Sequence, residues 1–460
     1  MNPRSLAQLP LLRNGFVDVP KIVKEGATAK YFPGILPDIE GIRKRDFPLF
    51  EKGGRIYLDS GATSQEPRTV IDRMHLFRLE HLRGSNHSKN SLEARIAQQN
   101  YDSAKEKLKR FFNAHSYDLA FTSGTTGSSN LLATRFAYDQ DTLVLVTEAE
   151  HNSQIVTARN FADATGARFG VLPVNRDGSI DLNVLEEVVR RFGGRILLNL
   201  VHVSNVTGAV NDVKKIRELV GDQVVIYLDM AQSAGHIPIN LDSLGVDFAS
   251  ASAHKMYGPT GIGAFFVSKR GQRYLTDLVS GGSAVHLVTA GNVAYAGSPE
   301  RFEPGTQNIE GAIEWGYAVD YLSAIGMERI AAHDEELGRL FSQELAKVRG
   351  LDIYSPMSGE GRVPIFVFNS RSHRHTDLAR ILDEHDISVR DGCFCAHILV
   401  SRLLGKPPEV MELIAVMFAA SGRDASSLPG AVRASLAFYN NLHDVHRAAL
   451  AINEIIESRW

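Results

Sequence analysis

Cysteine is nearly absent: the 460 residues hold two, Cys393 and Cys395. A pair so close in sequence excludes a disulfide framework and leaves two candidate reactive thiols. An excess of basic residues is missing as well. The 50 Lys and Arg against 53 Asp and Glu give a formal net charge of −3, which removes the electrostatic case for a nucleic-acid or membrane-surface protein. Long hydrophobic runs are also lacking: the longest purely apolar one, Leu413–Ala420, falls far short of the roughly 18 residues that cross a bilayer. Near the N-terminus Leu9-Pro10-Leu11-Leu12 is followed at once by Arg13 and Asn14, so the apolar core of a secretory signal is absent and a cytoplasmic protein is expected. With 44% hydrophobic and 22% charged residues, the composition is globular, neither disordered nor collagen-like nor coiled-coil.

Residues 1–40 carry Pro10, Pro20, Pro33, Gly34 and Pro37, which interrupt every short apolar stretch and predict an extended arm. From Arg55 onward strand-like runs alternate with amphipathic segments. Leu143–Thr147, Arg168–Val174, Ile196–Ser204, Val224–Asp229 and Ala264–Val267 read as strands, and Ala94–Phe112, Val184–Phe192 and Val213–Val220 as helices. Such alternation predicts an α/β fold with a mostly parallel sheet covered on both faces. Near Gly311 the pattern changes. A long helix over Ala312–Lys347 is predicted to lead into a smaller α+β domain with a strand at Pro364–Asn369, a helix at Thr376–Glu384, a strand at Ile387–Arg390 and a closing helix at Val445–Ser458. The stretch from Lys406 to Gly430, ending in Ser421-Gly422-Arg423-Asp424-Ala425-Ser426-Ser427-Leu428-Pro429-Gly430, reads as a loop. The expected division is 1–54 as an arm associated with the small domain, 55–311 as the large domain, and 312–460 as connecting helix and small domain.

Three segments carry chemistry. The strand Val224–Leu228 runs into Asp229-Met230-Ala231-Gln232, and open α/β sheets place ligands beyond the carboxyl ends of their strands. Asp229 there fits either a cationic ligand group or a structural cap or ion pair. Lys255, in Ser252-Ala253-His254-Lys255-Met256-Tyr257-Gly258-Pro259-Thr260-Gly261, follows an apolar strand and precedes a Gly-rich turn. Desolvation on such rigid backbone lowers an amine's pKa and suits it to Schiff-base chemistry. Finally, Thr122-Ser123-Gly124-Thr125-Thr126-Gly127 leads from a strand into a helix, a phosphate-binding arrangement. That string also resembles the phosphate loop of adenylate-forming acyl ligases, but Ser128, Ser129 and Asn130 follow it where ligases have basic residues, and Asp229 and Lys255 would be left without a role.

Taken in order, Tyr57-Leu58-Asp59-Ser60-Gly61-Ala62-Thr63, His202-Val203-Ser204-Asn205, Asp229-Met230-Ala231-Gln232, the Lys255 segment, Arg301-Phe302-Glu303-Pro304-Gly305-Thr306 and Arg433-Ala434-Ser435-Leu436-Ala437-Phe438-Tyr439-Asn440 resemble the fold-type I, class V pyridoxal-phosphate enzymes, closest to the group II cysteine desulfurases and selenocysteine lyases. The similarity runs from about Ile42 to the C-terminus. It implies that Lys255 carries pyridoxal 5'-phosphate as a Schiff base and that Asp229 holds the pyridine nitrogen protonated. Gln232 contacts the ring hydroxyl, His151 stacks on the ring, Asn205 sits near ring and substrate, and Thr125, Ser252 and His254, with Thr126, hold the phosphate. Arg433 takes the substrate α-carboxylate by a bidentate geometry that lysine cannot reproduce. Arg390 belongs to the same neighbourhood, and His87 is the match offered by the segment Gly84–Ser91, which is shorter than the family's.

The segment Arg390-Asp391-Gly392-Cys393-Phe394-Cys395-Ala396-His397 then decides the reaction. The resemblance places the sulfur-accepting nucleophile at Cys395. The paired thiols also resemble the desulfurase-like domain of molybdenum-cofactor sulfurases. No second ligand pair with zinc spacing accompanies them, so no metal is expected. The implied activity is removal of sulfur from L-cysteine, or selenium from L-selenocysteine, giving alanine and a persulfide on Cys395 that passes to an acceptor protein or small thiol, in a homodimer. Thirty-eight positions separate Cys395 from Arg433, more than in the family, so the intervening loop is rebuilt. Gly281-Gly282-Ser283-Ala284 matches in part the segment by which the family's neighbouring subunit touches the cofactor. The alternatives on the same site are a C–S or β-lyase, an epimerase or an aminotransferase, and outside this cofactor class an adenylate-forming ligase.

Overall fold

A computed structural model of the chain describes residue 10 and residues 15–85, 90–276, 281–356, 361–421 and 428–458. After a two-residue strand, β1 (Ile56–Tyr57), the main sheet is built from β2 (Tyr117–Thr122), β3 (Thr142–Thr147), β4 (Arg168–Leu172), β5 (Arg195–Val201), β6 (Val224–Asp229), β7 (Phe248–Ser252) and β8 (Gly263–Ser268). Their order is β2-β8-β7-β6-β5-β3-β4. The pairs among β3 to β7 are parallel, and only β8 runs against both its neighbours. Strand β6, Val-Val-Ile-Tyr-Leu-Asp, is buried along its whole length, as a strand covered on both faces must be.

The covering helices follow from apolar spacing and capping. In Leu182–Arg191 the buried pair is Leu185 and Val189, and the Asp181 side chain caps the amides of Asn183 and Val184. In Val213–Val220 the buried set is Val213, Ile216 and Val220, with Asp212 capping Lys215. Both faces keep the three- and four-residue spacing of an amphipathic helix.

A hairpin, β9 (Val285–Val288) and β10 (Val293–Tyr295), leaves the end of the large unit. Beyond it the predicted single helix is two, Ile309–Ile325 and Met327–Leu345, broken at Gly326, whose φ of +96° no helical residue adopts. The smaller sheet comprises β11 (Leu351–Ile353), β12 (Ile365–Ser370), β14 (Arg390–Gly392) and β15 (Ala431–Ser435) in the order β11-β12-β15-β14 and is antiparallel throughout. The short β13 (Ile387–Ser388) pairs in parallel with β1.

Two further expectations change. The N-terminal segment is not an extended arm but a series of short helices, Val19–Lys24, Thr28–Tyr31, Ile39–Asp46 and Pro48–Gly53. Pro20 and Pro48 stand in first turns, where a missing N–H costs nothing, so proline here begins helices instead of forbidding them. The segment packs on the C-terminal part of the chain. Buried Arg43 donates to the Tyr439 carbonyl at 2.6 Å and to Asp444 at 2.7 Å, and the Leu36 amide donates to His333 Nδ1 at 3.1 Å. In the stretch expected as a loop, Pro408–Ser421 is a helix. Its core, Met-Glu-Leu-Ile-Ala-Val-Met-Phe-Ala-Ala, is dominated by good helix formers, and Leu413, Val416 and Met417 stand exposed.

Candidate active site

Strand ends meet at one cavity of about 410 Å³. The register puts Val201 beside Asp229, Asp229 beside Ser250, and Gly263 beside both Ser252 and Thr122, so β2, β5, β6 and β7 all deliver their carboxyl ends to it. Lys255, Cys395, His151, Thr125, Thr126, Asn205, Asp229, Gln232, Ser252, His254, Arg433 and Arg390 all line this cavity. His87 lies outside the described residues.

At one end of the cavity β2 turns through Gly124, at φ +139°, into the helix Thr125–Arg135. Ser252 Oγ accepts from the Thr125 amide at 2.8 Å and lies 2.9 Å from Thr125 Oγ1. The strands approach so closely that a Cβ on Gly263 would stand 2.5 Å from Gly124 Cα. The result is a hydroxyl-rich helix start, with Ser123, Thr126 and His254 alongside.

On the same cavity, buried Asp229 accepts from the Ala231 amide at 2.9 Å on Oδ1 and from Gln154 Nε2 at 3.1 Å on Oδ2. Lys255 sits half-buried in the turn Ala253–Lys255 that follows β7. Burial pushes its ammonium down to about 8, although Asp229 pulls the other way. Burial and the neighbouring Lys255 charge likewise take His254 down to about 4. The loop after β1 holds this turn: the Ser64 amide and the Thr63 hydroxyl both donate to the His254 carbonyl, at 2.8 and 3.1 Å.

His151 precedes the helix Asn152–Thr165, and its Nδ1 accepts from the Ser153 amide at 3.2 Å. Burial, helped by Lys255, holds it below the usual histidine range. Gln232 Nε2 donates to the Gly61 carbonyl at 2.7 Å. Gly61 stands in close approach to Arg433: a Cβ there would lie 3.1 Å from Arg433 Cζ.

Arg433 is buried on β15, paired in register with Arg390. Its Nη2 donates to Asp59 Oδ1 at 2.9 Å and its Nη1 to the Asn205 carbonyl at 3.1 Å. Its Nε is buried without a hydrogen-bond partner among the described residues. The Phe394 ring lies 5.2 Å from the guanidinium carbon.

Cys395 is exposed and Cys393 half-buried. Both Phe394 and Cys395 adopt left-handed backbone, φ +54° and +55°. Cys393 Sγ donates to the Pro429 carbonyl at 3.0 Å, and burial pushes this thiol up to about 11. At neutral pH that holds Cys393 protonated and unreactive. His397 stands beside Asn152, its Nδ1 2.7 Å from Asn152 Nδ2.

Several site residues carry no motif of their own. Asp59 lies inside the matched Tyr57–Thr63 segment without an assigned role, Gln154 stands three residues after His151, and Phe394 lies between the two cysteines. Glu150 is fully buried, accepting from the Val201 amide at 2.8 Å and from the Thr147 hydroxyl at 2.9 Å.

Comparison with known proteins agrees with this architecture. The family described as Aminotransferase class-V matches residues 56–448. A probable cysteine desulfurase of Halalkalibacterium halodurans is 34% identical over 369 residues, 78% of this chain and 89% of that protein. A cysteine desulfurase of Dickeya dadantii is 31% identical over 90% of this chain and 95% of its own length. Among solved structures, a cysteine desulfurase from Thermococcus onnurineus superposes with a TM-score of 0.81 at 27% identity, over 91% of this chain and 98% of that one. One from Escherichia coli gives 0.78 at 27% identity, over 92% and 99%. With this sheet order, this site at the strand ends and a match that spans most of its length, the chain belongs to the class-V aminotransferase family.

Proposed function

We propose that the chain is a pyridoxal-phosphate-dependent cysteine desulfurase of the cytoplasm that takes sulfur from L-cysteine onto Cys395 and releases alanine. The observation that carries this function is an exposed thiol, Cys395, on the wall of the same cavity that presents Lys255, Asp229 and Arg433. The similarity to proteins named cysteine desulfurases over most of the chain supports it. The class-V family match leaves the ligase alternative without support.

The class-V family implies pyridoxal phosphate, and the residues present fit it. A cavity of about 410 Å³ lies in the range of small-ligand sites. The start of the helix Thr125–Arg135, with Ser123, Thr126, Ser252 and His254, is a donor-rich end for a phosphate. Asp229 offers a carboxylate to a protonated ring nitrogen, Lys255 a readily deprotonated amine to an aldehyde, and His151 an aromatic face. Gln232 and Asn205 complete the polar wall.

When bound, the cofactor supplies an electron sink for a carbanion at the substrate's Cα. The chain's own residues do the rest. Arg433, with Arg390 beside it, binds the substrate carboxylate, and the two hydrogen bonds that fix Arg433 orient it. The Lys255 amine takes the Cα proton, a role its lowered pKa favours near neutral pH. Cys395 attacks the substrate sulfur: an S–S bond forms, the C–S bond breaks with its electron pair on carbon, that carbon takes a proton to become the methyl group of alanine, and the proton held by Lys255 returns to Cα. The persulfide on an exposed thiol is then accessible to an acceptor protein or small thiol. A homodimer belongs to the same proposal.

Two variants test it. Cys395→Ala should retain the cofactor's absorbance near about 420 nm and lose sulfide and alanine production from L-cysteine. Lys255→Ala should lose both the band and the borohydride-stable adduct on its peptide. Unchanged turnover in Cys395→Ala overturns the proposal in favour of lyase or aminotransferase chemistry.

A further inference from the structure

The loop that carries Cys395 is fastened to the large unit by the turn that carries His151. The Asn152 amide donates to the Cys395 carbonyl at 2.6 Å. The Asn152 side chain faces His397, with Nδ2 at 2.7 Å from His397 Nδ1 and Oδ1 at 3.4 Å from the His397 amide. The backbone amide can only donate, so it meets the oxygen of the Asn152 side chain. Nδ2 is thereby turned to Nδ1, which accepts and leaves the imidazole proton on Nε2. Asn152 and His397 thus recognise each other through a directed pair of contacts across 245 positions of sequence.

The loop needs such support. Phe394 and Cys395 are successive non-glycine residues in left-handed backbone, a conformation that persists only where the surroundings hold it. Phe394 is buried, under the Arg433 guanidinium, and its carbonyl accepts from Asn205 Nδ2 at 2.8 Å. Cys395 is exposed, so packing does not restrain it. Beside the Asn205 bond to the preceding carbonyl, Asn152 restrains it, through its amide directly and through its side chain on His397 two residues further on. Asn152 also follows directly on His151, which lines the cavity. One helix start therefore sets the position of both the aromatic face and the thiol.

Given the desulfurase function argued above, we propose that Asn152 and His397 form a clamp that holds the Cys395 thiol at the cavity mouth, making Asn152 a positioning residue for sulfur transfer. Asn152 takes no part in the chemistry and acts only through the loop.

The test uses the full-length holoenzyme with Asn152→Ala, His397→Ala, their double variant and His397→Asn. In His397→Asn the side-chain oxygen stands in for Nδ1 as acceptor. Two quantities are measured: kcat and KM for alanine formation from L-cysteine, and the rate at which iodoacetamide alkylates Cys395, followed by the mass of its peptide. Asn152→Ala and His397→Ala should lower kcat on the order of ten- to a hundredfold, the scale of a thiol displaced by about an ångström, with KM changed by less than about twofold. The double variant should be no worse than either single one, as for partners in one contact. His397→Asn should stay near wild type and so separates loss of the clamp from loss of fold. Alkylation of Cys395 should quicken at least about threefold in both alanine variants, as for a strained loop released from its support. An unchanged alkylation rate in Asn152→Ala, or His397→Asn as impaired as His397→Ala, overturns the clamp. Faster alkylation with unchanged kcat overturns its role in sulfur transfer. If the wild type forms no alanine, the desulfurase function fails, and the alkylation rates alone then decide the clamp.

Discussion

Asp59 Oδ1 lies 2.9 Å from Nη2 of Arg433, so the guanidinium at the cavity wall already carries a carboxylate on one side. The Asn205 carbonyl takes Nη1, Nε is buried without a hydrogen-bond partner among the described residues, and the proposed function gives this guanidinium the substrate carboxylate. Arg433→Lys removes the planar fork and keeps the charge. It should raise KM for L-cysteine about ten- to a hundredfold, the equivalent of one charged hydrogen bond of about 1.5–3 kcal/mol, with a smaller change in kcat. Steady-state kinetics at varied L-cysteine measure this, and an unchanged KM would place the substrate carboxylate elsewhere.

Glu150 is a second buried carboxyl near Asp229. Burial, with the Asp229 charge adding to it, pushes its pKa up to about 8 despite the hydrogen bonds from Val201 and Thr147. The folded state therefore keeps this proton up to about pH 8, whereas the unfolded chain releases it near 4.5. Between those values the folded state binds more protons, so this group's contribution to stability falls as pH rises. Glu150→Gln cannot ionise. Its stability relative to wild type should improve steadily from about pH 5 to about pH 8, by at least about 1 kcal/mol in denaturant unfolding. A gap independent of pH contradicts the raised pKa.

The elements that read well from the amino-acid pattern are those whose burial is nearly complete or strictly periodic. Val224–Asp229 has the same bounds in the sequence reading and in the structure, because a strand covered on both faces leaves an unbroken apolar run. Where reading failed, a local signal carried two meanings. Pro20 reads as a break but sits in a first turn, and Gly326, inside an otherwise continuous helical pattern, adopts a φ that ends one helix and starts another. The motif residues from Thr125 to Lys255 converge on one cavity because they stand at or soon after strand ends, whereas Arg433 reaches it from within β15. Asp59, Gln154 and Asn152 have no such marker. Their partners, Arg433, Asp229 and His397, are distant in sequence, and only the folded chain brings them together.

Arg43 and Asp444 join the N-terminal helices to the closing helix Leu442–Glu457, and both are buried. Asp444→Ala leaves the Arg43 charge with the Tyr439 carbonyl, the Phe50 ring and the more exposed Glu51. Removing one partner of a buried pair costs about 3–5 kcal/mol, so the denaturant midpoint should fall clearly. Adding Arg43→Met should recover part of the loss. A midpoint that does not move would mean that this pair contributes nothing to holding the N-terminal segment in place.

The central claim is that sulfur leaves the substrate for the thiol of Cys395. The most direct measurement is a single turnover of the holoenzyme with L-cysteine, without reductant or acceptor, followed by mass analysis of the peptide that contains Cys393 and Cys395. The account predicts one added sulfur atom on Cys395, none on Cys393, and one alanine per sulfur. Alanine or sulfide formed while Cys395 stays unmodified would contradict it.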